Sequence, residues 1–181
     1  MPDLVCLEWA LADENNLTDI VVATGNDRIV FPHVDSCCAI IFLMTDGTAI
    51  GGHATLMLRN NTVGYGLSAT DMLTRMVARA NGAGIGQILY AGHPDWSRHV
   101  VDAQNAVQAI ANTPSSNRCQ FDDPIDVFAD LGAMRLQVQA WVRSVIPRAA
   151  AAIPAVSGVW LYNEPFVARR TQRGCCPCVI L

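Results

Sequence analysis

The stretch "SCCAIIFLMTDGTAIGGHATLML", residues 36 to 58, constrains the fold more than any other part of the chain. Two apolar runs of strand length meet at Asp46-Gly47, a strong hairpin-turn signal, so at least one antiparallel pair is expected. A core hairpin needs neither a thiol pair nor an imidazole. Cys37, Cys38 and His53 are therefore the residues to explain.

If Asp46 and Gly47 alone form the loop, Thr45 faces Thr48 and His53 lies opposite Ile40. Cys38 is then the diagonal neighbour of His53 on one face, roughly 7–8 Å away, and Cys37 points to the other face. This register selects Cys38 as the candidate nucleophile, with Cys37 the alternative if a bulge at Gly51-Gly52 shifts the parity. An unassisted thiol, with a pKa of about 8.5, is a sluggish nucleophile near neutral pH. An adjacent imidazole can take its proton, and the resulting thiolate can attack a carboxamide and expel ammonia. The competing explanation is packing, with both cysteines as small hydrophobes and His53 as a core histidine. An orienting group for the imidazole could come from Asp35, His33 or a backbone carbonyl near Pro32. His93 and His99 flank "PDWSR" in a loop after a buried strand, where such residues are more often solvated than substrate-facing.

Elsewhere, short strands are expected at 4–9, 19–23 and 28–31, the last stopped by Pro32. From Ser68, Met72, Leu73, Met76, Val77 and Ala80 fall at helical spacing, and Asn81-Gly82 ends the helix. A buried strand at 85–92, a helix at 97–111, a polar loop, a helix at 125–145 and a strand at 158–162 complete the pattern. The expected fold is α+β and layered, a mixed, largely antiparallel β-sheet or sandwich with flanking helices. Residues 1–167 read as one domain and 168–181 as a tail. The glycines of "NGAGIG" follow a helix and precede a strand, the reverse of the order that seats a phosphate.

Net charge is −4, which gives no nucleic-acid footprint. All 12 basic residues are arginine. Either codon usage explains that, or a chain working in a eukaryotic cytosol gains from offering no ubiquitin-acceptor lysine. Seven cysteines, three of them in the last seven residues, point to a reducing compartment rather than a disulfide scaffold. The acidic N-terminal stretch does not read as a cleavable signal peptide, and the longest apolar run is too short to span a bilayer. No cofactor or metal is expected.

The chain ends "FVARRTQRGCCPCVIL". Cys178-Val-Ile-Leu fits the C-a-a-X pattern with a terminal leucine, as for geranylgeranylation. Cys175 and Cys176 are placed for palmitoylation, and Arg169, Arg170 and Arg173 form a basic flank suited to an anionic leaflet.

These residues resemble a superfamily that contains CheD-type chemoreceptor glutamine deamidases and the catalytic domain of cytotoxic necrotizing factor toxins. The resemblance runs over roughly residues 28 to 112. Ser36-Cys37-Cys38 stands on the family's Ser-Gly-Cys or Gly-Ser-Cys motif, with Cys37 in place of the motif glycine. "GGHATLML" is similar to the segment around the family histidine, and "YGLSATDMLTRMVARANGAGIGQILYAG" to the following helix, glycine break and strand. The resemblance implies glutamine deamidation through a Cys38 thioester, with His53 as base and acid. It also implies a third element, a residue or backbone carbonyl, that fixes the histidine. With the tail it leads to an expectation of a bacterial effector secreted into a host cell. Host prenyltransferase would anchor it to the cytosolic face of a membrane, with Rho-family small GTPases as the first substrates to consider. A Cys-His protease or acyltransferase, or an inactive lipid-anchored binding module, is the alternative.

Overall fold

A computed structural model describes residues 2–7, 19–55, 69–121, 124–140 and 160–166. Ten strands and two helices are seen among them: β1 (Asp3–Val5), β2 (Ile20–Ala23), β3 (Arg28–Val34), β4 (Cys37–Met44), β5 (Ala49–Thr55), α1 (Ala69–Ala80), β6 (Ile85–Gly92), α2 (Trp96–Ala106), β7 (Ser115–Gln120), β8 (Ile125–Asp130), β9 (Arg135–Ala140) and β10 (Trp160–Pro165).

The strands form two five-stranded sheets, ordered β1-β3-β8-β9-β10 and β2-β5-β4-β6-β7. Only β1–β3 and β6–β7 pair in parallel. The architecture is the layered α+β one, with both helices on the outer face of the second sheet. Two separate cores follow from this layering. Ile29, Phe31 and Val127 of the first sheet pack against Cys37, Ala39 and Leu89 of the second. On the other face of the second sheet, Cys38, Ile40 and Phe42 pack against Met72 and Met76 of α1 and Val100 of α2. β4 is thus covered on both sides, and its run of apolar residues serves two cores at once.

Four sequence expectations differ from the structure. Residues 125–140 form the β8–β9 hairpin rather than part of one long helix. Ile125, Val127 and Ala129 alternate with Asp126, Phe128 and Asp130, a period of two, and Leu131–Met134 make the turn. The polar segment after α2 contains β7, whose composition suits a sheet edge: Ser115 and Asn117 are exposed. Pro32 does not end β3; the strand continues through a bulge between Phe31 and Val34. β1 pairs with β3 only as far as Val30, so the missing proline N–H leaves no ladder partner wanting.

The fourth difference is the hairpin register. The loop is three residues long, not two: Gly47 N–H donates to the Met44 carbonyl (3.2 Å) and Met44 N–H to the Thr48 carbonyl (2.9 Å). Gly47 has φ +86°, and Asp46 Oδ1 accepts from both Thr48 N–H and Thr48 Oγ1. A turn followed by a left-handed glycine is the usual three-residue solution. β4 and β5 then pair without a bulge at Gly51-Gly52, placing His53 opposite Ala39.

Candidate active site

One residue of register reverses which thiol lies on the imidazole's face. With Ala39 opposite His53, Cys37 is the diagonal neighbour and faces the space between the sheets. Cys38 faces the helices instead. The register that favoured Cys38 is therefore not the one the chain adopts. Cys38 lies near Tyr90: burial first, and then the Cys38 charge, push the Tyr90 hydroxyl up, and that hydroxyl donates to Gln104 Oε1 (3.0 Å). Neither Cys37 nor Cys38 is in a disulfide.

His53 is 1% exposed. Its Nδ1 lies 3.2 Å from the Cys6 carbonyl. A carbonyl only accepts, so Nδ1 carries the proton and Nε2 presents a lone pair. Among the described residues Nε2 has no hydrogen-bond partner. Burial lowers the His53 pKa to about 4, opposed by the Cys6 carbonyl and reinforced by His33. The imidazole is thus neutral near pH 7, the protonation state a base requires. Phe31 meets it edge-on, with ring centroids 6.1 Å apart.

The orienting group is one that the sequence did not nominate. Cys6 follows β1, and its N–H donates to the Val30 carbonyl (2.8 Å). Its thiol donates to the Asp19 carbonyl (3.3 Å), and the same carbonyl accepts the His53 N–H (3.2 Å). Burial, then the Asp19 charge, raise the Cys6 pKa well above the ordinary thiol range, so it stays a neutral thiol. Because Cys6 and Asp19 act through main-chain carbonyls, which every residue owns, no side-chain pattern could have marked them.

Of the proposed orienting groups, Asp35 is exposed at the turn before β4. His33 lies in the β3 bulge beside Pro32, with φ +53°, an uncommon conformation for a residue with a Cβ. The buried Asp126 carboxylate holds it there, accepting the His33 N–H at 2.8 Å. His33 is close enough to depress the His53 pKa electrostatically, but the Nδ1 position is taken by Cys6. His93 pairs locally with Asp95, and His99 is exposed on α2. Among the described residues, no group of His, Cys, Asp and Glu could hold a metal ion, and no helix is long and apolar enough to cross a membrane.

The backbone at Cys37 is fixed from α2 and β6. Trp96 Nε1–H donates to the Ser36 carbonyl (3.1 Å), anchoring the peptide that precedes Cys37. A Cβ on Gly92 would meet the Cys37 carbonyl oxygen at 2.5 Å and Cys38 Cα at 3.0 Å, so only glycine fits there. Cys175, Cys176, Cys178, Arg169, Arg170 and Arg173 lie outside the described residues.

No protein-family model matches the chain, and no curated protein matches it. Among solved structures it is similar to the C-terminal domain of CNFy from Yersinia pseudotuberculosis, at 6% sequence identity and a TM-score of 0.37. The match covers 84% of this chain and 54% of that one, so the chain spans about half the length of that domain. The likeness is weak.

Proposed function

We propose that the chain is a host-directed protein glutamine deamidase, with Cys37 as nucleophile and His53 as general base and acid. One observation carries the reading: a neutral imidazole, held at Nδ1 by a backbone carbonyl and open at Nε2, shares a sheet face with the diagonal Cys37. His53 Nε2 takes the Cys37 proton as sulfur bonds to the carboxamide carbon of a glutamine side chain. The C–N bond breaks with return of that proton, releasing ammonia and leaving a thioester. Water, deprotonated by the same nitrogen, then attacks the thioester, giving glutamate and restoring the thiol. An amine in place of water would give transglutamination. Cys37 is 3% exposed. Turnover requires a carboxamide to enter at the Cys37 end of β4.

The tail motif supports a membrane-anchored form, prenylated at Cys178 and palmitoylated at Cys175 and Cys176, with Arg169, Arg170 and Arg173 against the anionic leaflet. Anchoring would raise the effective concentration of membrane-associated substrates. Rho-family small GTPases are the first to test. Peptide mass spectrometry on GTPases from eukaryotic cells expressing the chain should show a Gln-to-Glu gain of about one mass unit. The gain should vanish with Cys37→Ala and weaken with Cys178→Ser. Cleavage or acylation of the substrate instead would move the chemistry to the protease or acyltransferase alternative.

The burial of Cys37, Cys38 and His53 favours one second reading, an inactive lipid-anchored binding module in which all three are packing. There, in the native chain, Cys37 would react with iodoacetamide no faster than Cys38.

A further inference from the structure

We infer that the Arg75–Asp19 ion pair is a positioning device for His53, transmitting the rigidity of α1 to the imidazole through the Asp19 and Cys6 carbonyls. The inference rests on reading Cys37 and His53 as the reacting pair. Arg75, in the middle of α1, reaches across to Asp19 with both terminal nitrogens, one on each carboxylate oxygen. Asp19 is completely buried, whereas the Arg75 side chain is 30% exposed.

An ion pair with one buried and one partly exposed partner contributes little net stability, because desolvation of the buried carboxylate offsets much of the attraction and solvent screens the rest. Docking of α1 on β5 does not call for one either. The Met72 and Met76 sulfurs already sit over Gly52 so closely that a Cβ there would meet them at 2.8 and 2.5 Å. What the pair does supply is a fixed position for Asp19. The Asp19 carbonyl binds the His53 N–H and the Cys6 thiol, and the Cys6 carbonyl binds His53 Nδ1–H. The main chain of the histidine is thereby tied to Asp19 directly, and its ring, with its tautomer set, through Cys6, which Asp19 and Val30 hold together. Bidentate Arg-carboxylate geometry provides this directional constraint, which a lysine only partly reproduces.

The test is nitrogen-15 NMR of the histidine side chains in the full chain across about pH 4 to 8, for wild type, Arg75→Met and Arg75→Lys. The groups facing His53 that could contribute to its titration are Cys6, Asp19, His33 and Cys37. Wild type should hold a single neutral Nδ1–H tautomer from about pH 8 down to about pH 5, with ring protonation centred at about 4. Arg75→Met should mix the tautomers and move the titration of His53 up toward the ordinary imidazole range. It should also lower kcat about tenfold with KM unchanged, and Arg75→Lys, which keeps the charge but not the fork, should recover only part of both. An Arg75→Met protein with reduced Tm but unchanged tautomer and titration would overturn the inference, making the pair structural only. Absence of deamidation by the wild type would count against the proposed function alone, since the NMR arm needs no substrate.

Discussion

Ala39 lies directly across the β4–β5 ladder from His53, and this single pairing puts Cys37, not Cys38, on the imidazole's face. Its cause lies eight residues away along β4–β5, where Gly47 adopts φ +86° and lengthens the turn to three residues. The geometry of a solvent-exposed loop therefore selects the candidate nucleophile inside the sandwich.

Cys37→Ala and Cys38→Ala should accordingly diverge. Loss of the nucleophile should lower the deamidation rate at least about a thousandfold. Cys38→Ala, which removes a sulfur from the core facing the helices, should keep the rate within about threefold and cost on the order of 1 kcal/mol of stability. Initial rates of ammonia release, with urea midpoints for both variants, decide it. The opposite ranking would restore the other register.

Buried His53 should make the fold acid-sensitive over a defined window. Its folded pKa is about 4, whereas an unfolded imidazole titrates near 6.5. Between those values the unfolded chain binds more protons, so the stability present at pH 7 is lost as the pH falls. The loss should be about 2 kcal/mol by pH 5 and about 3 by pH 4. Asp126 is shifted up by burial and acts in the opposite direction, partly masking the effect. Urea denaturation of wild type beside His53→Gln isolates the histidine: only the wild type should show the extra loss.

The sequence made β4, β6 and α1 legible because each carries a clear signal, a long apolar run or a 3.6-residue spacing with a glycine stop. β8 and β9 are hidden because apolar residues on both sides of Leu131–Met134 also fit a helix, and β7 because its serines look like loop residues until placed at a sheet edge. Cys37, Cys38 and His53 stand out as a thiol pair and an imidazole in a core hairpin, and the sequence points to Cys38. Which cysteine faces the histidine is not legible there, because Asp-Gly serves both two- and three-residue loops and the two give opposite parity. The Cys6 and Asp19 carbonyls were invisible, since their role depends on where the main chain passes.

Two glycines beside the site should respond unequally to alanine. At Gly92 the added Cβ would strike the backbone of Cys37 and Cys38, which β5 and β6 hold on either side. At Gly52 it would meet the Met72 and Met76 sulfurs and Met72 Cγ, atoms of unbranched side chains that can adjust more readily than backbone. Gly92→Ala should cost about 3 kcal/mol and Gly52→Ala about 1. Thermal unfolding ranks the two. Equal costs would mean that α1 cannot yield over β5.

Trp96→Phe should separate packing from positioning at the entry to Cys37. A smaller aromatic ring remains, so most of the core of α2 against the second sheet should hold, but the indole N–H that binds the Ser36 carbonyl is lost. A neutral hydrogen bond of this kind contributes about 1 kcal/mol, so the protein should stay folded with a modestly lower urea midpoint. Freed from its anchor, the Ser36–Cys37 peptide should sample orientations unsuited to attack, lowering kcat about tenfold while KM changes little. Steady-state kinetics on a glutamine-containing substrate, with circular dichroism to confirm the fold, measure both. An unchanged kcat would show that Cys37 is held by β5 and β6 alone and that Trp96 only fills space.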